Sequence, residues 1–200
     1  MPTASRAKHK FCRRIGQCLW GDPKCPSVKR PYAAGPHGKG RRSKLSTYGE
    51  LLMEKQKLRN YYAISEKQLR IAFAKAKSGE GQAHEKLFRS LELRLDAMVY
   101  RAGFAPTIFA AKQMVNHGHI YVDGKRVDRS SYQLKEGQAI TINAEKSPNL
   151  AEVAKKNNTT VPAYMEVDLD NLKATLVRAP QVEEIPVAVK IMSVIEYYAR

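Results

Sequence analysis

The spacing of apolar positions changes character three times along the chain. Up to about residue 45 there is no apolar period, and stretches such as GDPKCP and KRPYAAGPHGKGRR predict irregular structure. A first helix is predicted from Thr47, where Thr47-x-x-Glu50 has capping-box spacing, to about Asn60. A second opens at Ser65, with Ser65-x-x-Gln68, and places Leu69, Ala72, Phe73 and Ala76 on one face before Ser78-Gly79-Glu80-Gly81 ends it. A third, over about 84–102, gathers Leu87, Phe88, Leu91, Leu95, Met98 and Val99 into one arc of about 120°. Arg94 and Arg101 would share a line on its flank, about 10 Å apart along the axis. Gly103 stops that helix, and Pro106 suits the first turn of a fourth. There Ile108, Ala111, Met114 and Val115 form the apolar side, and Lys112, Gln113, Asn116 and His117 lie opposite with Phe109. Gly118 is its natural stop.

Beyond Gly118 the period becomes two. Ile120 and Val122 alternate with Tyr121 and Asp123, and Asp123-Gly124 is a favoured two-residue hairpin turn. Gln133-Leu134, a turn at 135–137, and Ile140 with Ile142 predict short strands on each side of that turn. Residues 145–163 are polar, with a helix around Asn149–Lys156 as one reading. Residues 164–178 read as two short strands, and the stretch from Val187 to Tyr198 as either a helix or a strand packing back on the body. The fold class is α+β, a helical N-terminal part followed by a mixed part.

Charge adds direction to this pattern. The 200 residues carry 35 Lys and Arg against 19 Asp and Glu, a formal net charge of +16. Residues 1–60 hold fifteen of the basic residues and three of the acidic ones, whereas residues 143–200 are nearly balanced. A solvated tail needs only charge. This segment also carries Phe11, Trp20 and Tyr32, so a polyanion with stackable bases is the better match. No apolar run approaches the ~18 residues of a membrane span, and no apolar stretch follows the basic start, so neither membrane nor secretion is expected.

Cys12, Cys18 and Cys25 are the only cysteines, an odd count that does not read as a disulfide framework. With His9 they offer four nitrogen and sulfur donors within seventeen residues. Structural zinc sites usually start from a tight C-x2-C pair, and here only His9-x2-Cys12 approaches one. Spacing therefore favours three reduced thiols with no metal and no cofactor.

From Leu91 to Ile142 the chain resembles the small RNA-binding module named after the fourth protein of the small ribosomal subunit. The elements that carry this are Arg94-Leu95-Asp96, Val99-Tyr100-Arg101, Gly103-Phe104, Gln113, Gly118-His119-Ile120, Val122-x-Gly124, Ser131-Tyr132 and Gly137. Upstream, Lys29-Arg30-Pro31-Tyr32, Gly35-Pro36-His37-Gly38, Lys44-Leu45-Ser46-x-Tyr48, Glu54-Lys55-Gln56-Lys57-Leu58-Arg59 and Ile64-Ser65-Glu66-Lys67-Gln68 resemble the bacterial-type family of that ribosomal protein. Downstream, Glu145-Lys146-Ser147, EVDLD and Val194-Ile195-Glu196-Tyr197-Tyr198 continue the likeness. Two departures stand out. Thr107, Ile108 and Phe109 occupy positions where relatives often carry basic or polar residues, and Asp123 stands where Asn is common. Some members of the family hold zinc through four N-terminal cysteines, of which Cys12 and Cys25 retain part of the pattern.

The resemblance implies an organisation: a basic RNA-binding arm at 1–45, a helical domain at 46–90 joined by 187–200, the module at 91–152 and its α/β extension at 153–186. It also implies that the protein is a structural constituent of the small subunit that binds ribosomal RNA early and nucleates assembly. Implied partners are ribosomal RNA, ribosomal protein five and other small-subunit proteins, and messenger RNA where it enters the subunit. With protein five it would influence translational accuracy. The implied location is the ribosome in the cytoplasm, or in an organelle. The expected RNA donors in the arm and first helix are Arg13, Arg14, Lys29, Arg30, Lys39, Arg41, Arg42, Lys44, Lys55, Lys57 and Arg59. In the module they are Arg94, Arg101, Lys112, Gln113, Asn116, His117, His119, Lys125 and Arg126. Arginine suits bidentate phosphate contacts, whereas lysine acts as a point charge.

The same module occurs in enzymes such as pseudouridine synthases and tyrosyl-transfer-RNA synthetases. Here it occupies about a quarter of the chain and leaves no ordinary catalytic domain. His117-Gly118-His119-Ile120 has a synthetase signature's residues in the wrong order, and Gly38-Lys39-Gly40 lacks the spacing of a phosphate-binding loop. No catalytic residue is expected.

Overall fold

The computed structural model describes residues 8–40, 44–78, 81–143, 147–157 and 160–199. The helices are α1 (Lys8–Ile15), α2 (Pro26–Lys29), α3 (Thr47–Tyr61), α4 (Glu66–Ser78), α5 (Ala83–Glu92), α6 (Leu95–Arg101), α7 (Ile108–Asn116), α8 (Pro148–Lys156) and α9 (Ile191–Ala199). The strands are β1 (Ile120–Val122), β2 (Lys125–Arg126), β3 (Ala139–Ile142), β4 (Met165–Asp168) and β5 (Lys173–Leu176). The α+β class is as predicted. The chain divides into two compact units, Met1–Glu66 with Val187–Arg200, and Lys67–Pro186.

In the first unit the segment read as irregular holds α1 and α2. Eight and four residues are too few to form helices on propensity, so tertiary contacts carry them. Buried Cys12 and Cys25 supply part of those contacts. Pro26 opens α2 at a position where its missing N–H costs nothing. The cap of α3 is Ser46 rather than Thr47: Ser46 Oγ accepts the Gly49 N–H at 3.2 Å. Leu51, Leu58 and Tyr61 line the buried side of α3, and the C-terminal segment resolves to a helix, α9, that packs against α3.

In the second unit α4 buries Leu69 and Ala76, with Ala72 and Phe73 half-buried. The single helix predicted over 84–102 is two. Arg94 leaves helical geometry at φ −64°, ψ 141°, because its neighbours pair with a distant strand-like segment. The Leu95 N–H donates to the Tyr132 carbonyl at 2.8 Å and the Leu134 N–H to the Leu93 carbonyl at 2.9 Å. The predicted apolar arc is still buried from Leu87 to Val99, but Arg94 and Arg101 do not lie along one helix flank. Pro106 precedes α7 rather than entering it, since Thr107 is the cap and accepts the Ala110 N–H at 3.1 Å.

The sheet runs β2-β1-β3-β5-β4, antiparallel throughout. Asp123 and Gly124 both take positive φ, 48° and 77°, as the predicted hairpin turn requires. Gln133 forms only an isolated bridge with Arg94, not a strand of the sheet. Leu95, Met98 and Val99 of α6, Ala111, Met114 and Val115 of α7, and Ile120, Val122, Ile140, Ile142, Ala174 and Leu176 of the sheet share one core. That core fixes the end of α7 against the β1–β2 hairpin.

Candidate nucleic-acid interface

Within the second unit, the C-terminal end of α7 and the β1–β2 hairpin form one polar edge. Gln113 and His117 of this edge are exposed, as are Lys125 and Arg126, while Lys112, Asn116 and His119 are half-buried. Gly118 turns the chain with φ +74°, and a side chain there would put its first carbon 2.0 Å from Arg126 Nε. The glycine therefore lets the Arg126 guanidinium lie over the turn, where it donates to the His117 carbonyl at 3.3 Å. The His117 and His119 rings stand 6.1 Å apart, and His119 Nδ1 is 2.6 Å from Ser147 Oγ. Burial pulls the Lys112 ammonium below its ordinary range; nearby Asp96 opposes this and Arg94 reinforces it. Such an edge offers imidazole, amide, ammonium and guanidinium donors, a set suited to phosphate and sugar oxygens. Arg129 and Lys135, exposed on the β2–β3 connection, lie outside the predicted set, and charge was the only signal that pointed to them.

Arg94 and Arg101 are placed differently. Arg94 is 5% exposed and grips Asp96 through two bonds, Nε to Oδ1 at 2.9 Å and Nη2 to Oδ2 at 2.7 Å. Arg101 is 6% exposed and bonds Glu92, which is fully buried and also accepts from Tyr164 Oη at 2.8 Å. Burial pushes the Tyr164 hydroxyl far above its ordinary range, and the charge of Glu92 adds to this. Both arginines are turned inward onto carboxylates and offer no open face to a polyanion.

In the first unit Arg14, Lys29, Arg30, Lys39 and Lys44 are exposed. Arg41 and Arg42 lie outside the described residues. Arg13 is half-buried: its guanidinium donates to the Tyr32 and Ala33 carbonyls at 3.1 and 3.2 Å and sits 5.0 Å from the Tyr32 ring. Lys39 Nζ lies 5.6 Å from the same ring, so Tyr32 is flanked by cations. Trp20, counted in the sequence as a stacking surface, donates to the Tyr61 carbonyl at 3.2 Å and meets the His9 ring edge-on. Lys55 is buried, 3.0 Å from Glu66 Oε1 and 4.5 Å from the Tyr197 ring, and Lys57 pairs with Glu54. Arg59 is half-buried. Lys55 thus serves the packing of α3 against Glu66 and α9, and Lys57 forms a pair within α3.

The fold brings together four donors whose linear spacing argued against a metal. The ligand atoms of His9, Cys12, Cys18 and Cys25 all lie within 4.8 Å of one another. The turn after α1, with Gly16 and Gly21 both at positive φ, returns the chain past Cys18 to Cys25 at the start of α2. Burial pushes the Cys12 thiol up to about 12. Burial raises Cys25 too, but bonds from the Ser27 side chain and backbone and from the other two thiols outweigh it, so that thiol falls below its ordinary value. One imidazole and three thiols are a zinc-type donor set.

Residues 4–92 match the Ribosomal protein S4/S9 N-terminal domain, and residues 93–140 match the S4 domain. These matches define a ribosomal-type RNA-binding protein. Over 206 residues and the whole of both chains it is 47% identical to the small ribosomal subunit protein uS4 of Cereibacter sphaeroides (strain ATCC 17029 / ATH 2.4.9). It is 45% identical, also over both whole chains, to that of Paracoccus denitrificans (strain Pd 1222). With the protein of the same name from Caulobacter vibrioides (strain NA1000 / CB15N) it shares 47% over 199 residues, 96% of this chain and 97% of the other. The chain belongs to the uS4 family of ribosomal proteins.

Proposed function

We propose that the chain is a structural constituent of the small ribosomal subunit that binds ribosomal RNA directly and early, nucleating assembly. The observation that carries this is the exposed donor edge of Gln113, His117, Lys125 and Arg126, held in place by a packed α6–α7–sheet core. A rigid edge can read RNA shape and phosphate spacing without reordering. The exposed arm cations Arg14, Lys29, Arg30, Lys39 and Lys44 add sequence-independent attraction. The role is binding and not catalysis, in keeping with a family of ribosomal proteins. Contact with ribosomal protein five, proximity to incoming messenger RNA and an effect on decoding accuracy complete the reading, on the strength of family membership. No helix among the described residues is long and apolar enough to cross a membrane.

The direct test is to add the purified chain to small-subunit ribosomal RNA and map nuclease protection. Protection confined to a defined set of RNA helices, and lost with Lys125→Ala plus Arg126→Ala, is the expected result. Protection that is absent, or spread evenly over any RNA offered, would overturn it.

A further inference from the structure

We propose, resting on the RNA-binding reading above, that Ser147 positions His119 for contact with the RNA backbone. Its hydroxyl donates to His119 Nδ1, which holds the ring's proton on Nε2 and leaves that N–H for a phosphate oxygen.

Ser147 stands at the N-cap of α8, where a serine ordinarily accepts a backbone N–H of the first turn with its Oγ. Here it makes no such bond. Its backbone carbonyl accepts the Leu150 and Ala151 N–H groups at 3.1 and 3.2 Å, while its Oγ is turned to His119 Nδ1 at 2.6 Å. A side-chain cap stabilises a helix, so a serine that forgoes it for a histidine points to a role in orienting that ring. Ser147 is 6% exposed, and among the described residues its hydroxyl has no other partner. A buried hydroxyl with a single partner donates, because an unused lone pair costs less than an unused O–H. The proton of neutral His119 therefore sits on Nε2.

The backbone on both sides of the ring is already fixed. The Gly118 N–H donates to the Val115 carbonyl at 2.8 Å and the His119 N–H to the Met114 carbonyl at 3.1 Å, the paired bonds that close a helix on a left-handed glycine. Ile120, next in the chain, is fully buried and pairs with Ile142 in the sheet. Side-chain rotation is the freedom that remains, and the bond to Ser147 removes it. The ring is half-buried with Nδ1 against the buried serine, and Nε2 has no hydrogen-bond partner among the described residues. Lys125 and Arg126 are exposed on the same edge, with the Arg126 guanidinium over the Gly118 turn. Among such cations an anionic oxygen is the acceptor that this N–H meets. His119 held in this tautomer donates while neutral, so the contact needs no imidazolium.

The test combines ring-nitrogen NMR of the isotope-labelled full-length chain with its affinity for small-subunit ribosomal RNA. The spectra are recorded without RNA, in alkaline buffer where histidine is ordinarily neutral. The wild type should show His119 with its proton on Nε2 and a hydrogen-bonded Nδ1. Ser147→Ala should shift the Nδ1 resonance to that of an unbonded acceptor, and Ser147→Thr, which keeps a hydroxyl, should restore it. Affinity should fall about 3–10-fold in His119→Ala, the worth of one hydrogen bond, and by a similar factor in Ser147→Ala, with recovery in Ser147→Thr. In the His119→Ala background, Ser147→Ala should cost no further affinity. A proton on Nδ1 would overturn the proposal, as would undiminished affinity in His119→Ala while Lys125→Ala plus Arg126→Ala still weakens binding. A further loss from Ser147→Ala on top of His119→Ala would overturn it too, because the serine would then act through packing alone. Failure of the wild type to bind ribosomal RNA at all would instead remove the RNA-binding reading, and this contact with it.

Discussion

Burying a guanidinium removes it from water, and at Arg101 the cost is offset by Glu92 and, through that carboxylate, Tyr164. Removing one partner of such a pair leaves an uncompensated buried charge, so Arg101→Ala should lower stability by about 3–5 kcal/mol in urea unfolding. Leu95→Ala, at a fully buried site, should cost about 2–5 kcal/mol. Arg126→Ala should stay within about 0.5 kcal/mol of wild type, while weakening binding to ribosomal RNA in the same preparation. Equal stability losses at Arg101 and Arg126 would contradict the division into inward and outward arginines. That division was not readable from charge. Side chains two apart on a helix do not face each other, and Arg94 reaches Asp96 only because its backbone is extended. The donor cluster of His9, Cys12, Cys18 and Cys25 was named in the sequence but set aside on its spacing, and turn geometry, not that spacing, sets its separations.

Elements inherit their limits from what they pair with. The apolar arc from Leu87 to Val99 was legible, and so were α7, the Asp123-Gly124 hairpin and the two late strands. The break at Leu93–Arg94 was not, because residues 132–134 impose it from forty positions away. Gly118→Ala should test the α7–hairpin joint: the left-handed φ costs about 1 kcal/mol, and the added carbon must displace Arg126. It should therefore reduce RNA affinity much as Arg126→Ala does, whereas unchanged affinity would show that the guanidinium's place over the turn is unimportant. On the α3–α9 side, burial tends to raise the Glu66 carboxyl. Hydrogen bonds from Lys55 and Tyr198 and the charges of Lys55 and Arg59 outweigh it, holding the group below its ordinary value of 4.5. A carboxyl depressed on folding stabilises the native state at pH above its unfolded value, and that contribution is lost as the pH falls through its folded value. The stability difference between wild type and Glu66→Gln should thus be full at neutral pH and shrink as the solution is acidified below about 4.5. A difference that grows on acidification would refute the assignment.

The whole molecule carries +16, three-quarters of it in residues 1–60, and its exposed cations occur in both compact units. Composition was enough to select a polyanionic partner, and family membership narrows the polyanion to RNA. What charge could not show is that several of the basic residues hold the protein together: Lys55, Lys57, Arg94 and Arg101 face carboxylates. We propose a correspondingly smaller RNA-facing set drawn from the exposed positions, Lys29, Arg30, Lys125 and Arg126 among them. The most direct measurement is the affinity of the full-length chain for small-subunit ribosomal RNA across a salt series. Six to ten phosphate contacts predict a loss of about 10³–10⁵-fold between 50 and 200 mM salt. Replacing Lys29, Arg30, Lys125 and Arg126 together with alanine should visibly flatten that dependence. A response that is nearly flat in the wild type, or equally steep in the fourfold variant, would contradict the account.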